Sequence, residues 1–258
     1  MILDLIRNGF SVQTLVNFAA RIFVVFCILP VHEYAHALTA TKLGDDTARL
    51  QGRLTLAPLA HLDLIGALMI FLAGFGYAKP VPVNPYKFKG DRVRCDFLVS
   101  IAGICMNLLL FLLFTVLTVG GSFIMWDKRV IDAYGMSVLV SYRYNGIWTI
   151  ISGDAVKTFG ELIKTTWIVP FVRLAAYTAL VNLNLAIFNL FPIPPLDGYH
   201  VFNDLIFKGR FQLSRTAFRV AMGLVLVLAA TGVLGRVISF CVYPIQDFVL
   251  LPVKALWG

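Results

Sequence analysis

Residues 29–43 read LPVHEYAHALTATKL and place His32, Glu33 and His36 in the spacing H-E-x-x-H. On a helix, positions i and i+4 share a face, so the two imidazoles can grip one metal ion. Glu33 lies beside that face, where it can take a proton from a water on the metal. A chance match in which helix packing satisfies both histidines is the competing reading. The stretch before the motif, 22–31, reads IFVVFCILPV, a run suited to lipid. The chain has two glutamates, Glu33 and Glu161. An ionisable side chain near the middle of an apolar span is costly and marks function by default.

Composition settles the surroundings of this motif. The chain of 258 residues is 59% hydrophobic and 14% charged, against about 25% charged in soluble domains. Its mean hydropathy is +0.82. The apolar runs have helix length and lack the period-2 alternation of barrel strands. An all-α polytopic membrane protein follows. The net charge of +8 reflects Lys and Arg in loops beside membrane helices. No basic run is interleaved with aromatics, which argues against nucleic acid as a partner. Cys27, Cys95, Cys105 and Cys241 show no C-x-x-C spacing and read as small apolar residues. The start lacks the shape of a cleavable signal, since Arg21 interrupts the apolar run. No polar stretch is long enough for a separate soluble domain. One domain over 1–258 is expected, with a core of about 22–200 and additional helices in 217–253.

The apolar segments divide as follows. The first, 22–41, is long enough to span a bilayer at a rise of about 1.5 Å per residue. The second, 62–78, is short and ends in glycines. The third covers 97–119, the fourth 165–191 and the fifth 221–234. The last, 237–253, is expected to be broken at Pro244 and Asp247. MILDLI at the start suits an interfacial helix. The alternation in RLTL, 53–56, predicts a short strand between Gly52 and Pro58. Pro80, Pro82 and Pro85 in AKPVPVNPY make that stretch extended. About five membrane helices and one re-entrant segment with short β-strand elements are expected.

A catalytic metal commonly takes a third protein ligand and keeps one position open. The acids in or beside the spans are Asp63, Asp197 and Asp247. Asp247 suits an interfacial acid. Asp197 lies in NLFPIPPLDGYH, where three prolines end the fourth segment and Gly198 permits close backbone approach. A carboxylate at such a helix end is a candidate ligand, although a solvated turn is its alternative. Asn182 and Asn184 read as interhelical hydrogen-bonding residues. His61 and His200 read as loop or surface residues, with a role at the site as the alternative.

HEYAH on the first strong span, followed far along the chain by FNLFPIPPLDG at 188–198, resembles the site-2 protease family of intramembrane zinc metalloproteases. GRLTLAPLAHLD, AKPVPVNP and AGICMN between them fit as well, so the resemblance runs from the first span to Gly198. It implies one zinc ion held by His32, His36 and Asp197, with Glu33 as catalytic acid/base. It also implies a supporting role for Asn107, and for Asn189 in the N-x-x-P-x-P-x-L-D-G pattern. Ile104 stands where the family's AGPxxN has proline, Ala57 where many relatives have Asn, and Leu64 where they often have Pro.

The expected activity is hydrolysis of peptide bonds in transmembrane segments of other proteins. A metal transporter and an inactive relative that only binds membrane helices are the rival readings. Lys79, Lys87, Lys89, Arg92 and Arg94 are dense, as are Lys208, Arg210, Arg215 and Arg219, whereas basic residues in 120–164 are sparse. The positive-inside rule puts both dense groups in the cytoplasm and 120–164 outside. His36 and Asp197 can then share one ion only if 62–78 dips in and returns, and the site opens to the cytoplasm. Cysteines introduced near Trp126 should therefore be labelled by an impermeant reagent from the outside only. Labelling from the cytoplasmic side alone would reverse the orientation and remove the argument for a re-entrant segment.

Overall fold

The computed structural model describes residues 12–63 and 79–257. Helix α1 is Val12–Lys42, α2 is Arg92–Met125 and α3 is Val169–Asn189. They are followed by α4, Asp197–Phe207; α5, Arg215–Ala230; α6, Val233–Val249; and α7, Leu251–Trp257. The second apolar segment, with its re-entrant reading, lies almost wholly outside the described residues, and so does MILDLI. Among the described residues two helices, α2 and the stretch ending in α3, are long and apolar enough to cross a membrane. Counting α5 and α6, bent by 75° at their junction, as one span gives three.

Helix α2 is the hub, with α1, α3 and α4 all packed on it. Its N-terminus is capped by Asp91, whose carboxylate accepts from Arg94 N at 2.8 Å. Leu109, Leu112, Leu113 and Val116 form its exposed stripe, spaced as a lipid-facing helix side requires. The opposite side buries Asn107, Phe111, Thr115, Thr118 and Ser122. Against it α3 presents the buried alanines Ala175, Ala176, Ala179 and Ala186. Lipid tails supply no hydrophobic force between helices, so such small residues gain contact by letting backbones approach.

Several expectations need correction. RLTL is not a strand, and no strand is formed among the described residues. Its polar groups are committed elsewhere: Arg53 N donates to Ala48 O at 2.8 Å, the buried Arg53 guanidinium reaches Lys79 O, and Thr55 O accepts from His61 Nε2 at 2.8 Å. A ladder would have to displace these bonds. Residues 79–84 are extended, as their prolines demand. Pro244 does not end a helix, because α6 runs through it, as α1 runs through Pro30. Neighbouring groups can take up the backbone carbonyl that a proline frees.

Residues 126–164, between α2 and α3, are folded. They fold into the short helices Lys128–Tyr134, Met136–Val140, Asn145–Ser152 and Ala155–Phe159 around buried Trp126 and Tyr142. Tyr142 OH donates to Ala176 O at 2.9 Å, and Trp148 Nε1 to Tyr142 O at 2.7 Å. From α6, Gln246 accepts from Tyr142 N at 2.7 Å and donates to Val140 O at 3.1 Å. This cap closes one end of the α2–α3 pair. Among the described residues the Asn182 side chain bonds within its own helix, donating to Thr178 O at 2.9 Å, one turn back.

Candidate metal centre

His32 and His36 project from the last third of α1 and are both 6% exposed. His36 Nε2 lies 3.1 Å from His32 Nε2, and each of these atoms is 3.3 Å from Asp197 Oδ2. The three atoms form a nearly equilateral triangle. Ligand atoms about 2.05 Å from a tetrahedral metal stand about 3.3 Å apart. The observed triangle has that size. It is also the one group of three or more metal-ligating side chains drawn together among the described residues.

The surroundings fix the electronics of one corner. His36 Nδ1 donates to Val99 O at 2.7 Å. In the neutral ring the proton is therefore committed there, and Nε2 faces the triangle with its lone pair. Asp197 Oδ2 is buried, and among the described residues it has no hydrogen-bond donor. The lone pairs of neutral His36 Nε2 and of Asp197 Oδ2, facing each other at 3.3 Å, repel unless a positive charge, a proton or a metal cation, lies between them. The donor set therefore fits a metal cation.

Two glycines make the triangle possible. A Cβ at Gly103 on α2 would overlap His36 Nε2 and lie 2.6 Å from His32 Cε1. Only a residue without a side chain lets α2 press against the imidazoles. A Cβ at Gly198 would overlap the backbone carbonyls of Leu190 and Phe191. The chain turns back on the end of α3 through NLFPIPPLDG, with Ile193 N bonded to Phe191 O and Leu196 N to Ile193 O. Asp197 then opens α4 facing the histidines. These glycines lie in the quoted motifs, but their task is visible only once the helices meet.

The other expected site residues fall as follows. Glu33 is half-buried and its Oε2 accepts from Val81 N at 3.2 Å. Asn107 is fully buried one turn beyond Gly103 on the same face of α2, and neither amide atom has a partner among the described residues. Asn189 is the last residue of α3, half-buried. Asp247 pairs with Arg143 and takes no part in the cluster. His61 is buried and bonded to Thr55 O. His200 is a surface residue, but it is not idle: its Nδ1 pairs with Asp96 Oδ2 at 3.1 Å, tying α4 to the start of α2. One turn along α4, Asp204 is 7% exposed. Asp96 and Asp204 were not legible as a pair, because the helices that carry them meet only in the fold.

The profile of peptidase family M50 matches residues 20–230. Two relatives carry the name Putative zinc metalloprotease. YwhC of Bacillus subtilis is 40% identical over 179 residues, 69% of this chain and 65% of that protein. Rip2 of Mycolicibacterium smegmatis is 28% identical over 225 residues, 85% of this chain and 70% of that protein. The match thus spans just under two thirds of YwhC. No solved structure matches the chain.

Gly103→Ala should abolish stoichiometric metal in the purified protein, whereas Gly120→Ala, whose Cβ meets nothing within 4 Å, should retain it. Equal metal content in both would refute the close-approach argument. A second outcome concerns pH. Burial, and then the neighbouring Asp96 carboxylate, push the Asp204 carboxyl up to about 6. An acid with a raised folded-state pKa begins to cost stability above its unfolded value of about 3.9. The cost is complete once pH passes about 6. Asp204→Asn should therefore raise the melting temperature at pH 7 and lose that advantage towards pH 4. A difference independent of pH would contradict this.

Proposed function

The chain belongs to peptidase family M50, the site-2 protease family, and on that premise we propose that it is an intramembrane zinc endopeptidase cutting peptide bonds within or near transmembrane segments of other membrane proteins. The observation that carries this reading is the triangle of His32, His36 and Asp197, with Glu33 beside it, in a chain of apolar helices. His32, His36 and Asp197 would hold one zinc ion. When bound, that ion supplies a Lewis acid, which lowers the pKa of water and polarises the scissile carbonyl.

The chain's own residues do the rest. Glu33 takes the proton of the attacking water and returns it to the leaving amine. His36 keeps its metal-facing nitrogen bare by donating its other proton to Val99 O. Asn107 has both amide atoms unspent, and its N–H can hydrogen-bond the substrate carbonyl as negative charge develops on it. The α2 face that carries Asn107 is buried, which limits water and strengthens that bond. Asn189, at the end of α3, shapes the turn that delivers Asp197. The substrate helix must unwind locally, because a helical peptide bond is enclosed by its own hydrogen bonds. Water reaches the site from the cytoplasmic side, a reading supported by the dense basic residues at 79–94 and 208–219.

Glu33→Gln separates catalysis from binding. General acid–base help is typically worth about 10²–10⁴-fold. The variant should lose that factor in turnover of a transmembrane substrate while keeping wild-type zinc, measured on the same sample. Cleavage within a few-fold of wild type with zinc retained would exclude Glu33 as the base.

A further inference from the structure

The stretch Lys79 to Asn84, KPVPVN, runs past Glu33 as an extended strap held at both ends. At its start Lys79 N donates to His61 O at 2.8 Å, and the Arg53 guanidinium takes Lys79 O. At its end Asn84 N donates to Asp45 Oδ2 at 2.6 Å. Asp45 is fully buried, and its Oδ1 accepts from Thr47 N at 3.0 Å and from the Thr47 hydroxyl. Just beyond, Lys89 N donates to Leu43 O at 2.8 Å. The strap is thereby fastened to the loop that leaves α1, the helix carrying both histidines and Glu33.

Between the anchors the backbone donors are few. Proline has no N–H, so residues 80 and 82 offer none and Val81 is the single donor among the three. Successive N–H groups of an extended chain point to opposite edges. The edge turned away from Glu33 is therefore stripped of donors at 80 and 82, and the one donor left at 81 meets Glu33 Oε2 at 3.2 Å. A carboxylate has two oxygens and room for several donors. Among the described residues nothing bonds to Oε1, which can receive a proton.

We propose that the Val81 amide is a positioning group for Glu33: the strap holds one backbone N–H against one carboxylate oxygen and so aims the other at the water that attacks the substrate. The inference rests on the protease reading above. A flexible Glu side chain on a helix otherwise samples several rotamers. A base in general needs a third group to orient it, and here that group is main chain. The alternating prolines thus have a task beyond forbidding helix. They keep the strap extended and leave it no outward donor with which another strand could draw it off the site.

Two measurements test this. Val81→Pro deletes the donor and keeps an extended conformation, whereas Val81→Ala keeps the donor. A misaimed catalytic group can cost about 10²-fold. Val81→Pro should lose roughly 10- to 100-fold in kcat with KM and zinc content unchanged, and Val81→Ala should stay within about twofold of wild type. Unchanged or faster turnover in Val81→Pro, equal losses in both variants, or loss of zinc in Val81→Pro would each overturn the proposal. The second measurement does not need activity. In hydrogen exchange of wild type and Glu33→Ala, the Val81 amide should exchange at least about tenfold faster in the variant. Lys79 and Asn84, held by His61 and Asp45, should be unaffected. Unchanged Val81 exchange would show that the contact is not made. A wild type that cleaves nothing would sink the protease reading and the amide's catalytic role with it, while the exchange result would still decide the contact.

Discussion

The close approach of α2 to the two imidazoles at Gly103 is the constraint on which the rest depends. Three ligand atoms must come within 3.3 Å of one another from two widely separated places in the chain. Only one pair comes from a local spacing. The third is delivered by α4, which packs on α2 as α1 does. Helix α2 is therefore the template against which both halves of the site are registered, and its glycine sets how near they come. A methyl group there would push apart the atoms that the rest of the fold brings together.

Such a template must be rigid, and the structure gains rigidity without a hydrophobic force between its membrane helices. Alanines on α3 allow close backbone contact. Side-chain amides and hydroxyls bond to main chain: Gln246 joins α6 to the cap, Tyr142 joins the cap to α3, and His36 joins α1 to α2 through Val99 O. Each such bond is worth about 0.6–2 kcal/mol in a membrane setting. Their larger effect is on geometry, since each is satisfied at one relative position of two elements. Asn107 contrasts with them, fully buried with its amide unspent. A bare buried amide near the triangle of His32, His36 and Asp197 calls for an explanation, and on the protease reading the substrate carbonyl supplies it.

The extended strap adds a second kind of order. Its ends are fastened to buried Asp45 and Arg53, both of which lie in the turns following α1. The same short stretch of chain therefore supports the helix that carries His32 and His36 and the backbone that meets Glu33. A change in those turns would reach the site through two routes at once.

Much of this was legible in the residues. The H-E-x-x-H spacing places two imidazoles on one helical face by the period of the α-helix alone, and proline content alone makes 79–84 extended. Apolar runs of helix length predict membrane helices because lipid leaves backbone groups no other partner. Local rules failed where partners outside the stretch, near or far in sequence, competed. The alternation in RLTL suggested a strand, but Arg53 and Thr55 found partners at Lys79 and His61. Pro244 suggested a break, yet α6 continues through it. Sparse basic charge in 120–164 spoke only to the side of the membrane, whereas Trp126 and Tyr142 organise a cap there through contacts with α3 and α6. The sequence by itself determined the donor types, the shared face of two of them and the apolar surroundings, because these follow from composition and helical period. Only the tertiary structure decided that Asp197 completes the triangle, that Gly103 must be bare and that the Val81 amide meets Glu33, because each is a distance between elements that no local periodicity encodes.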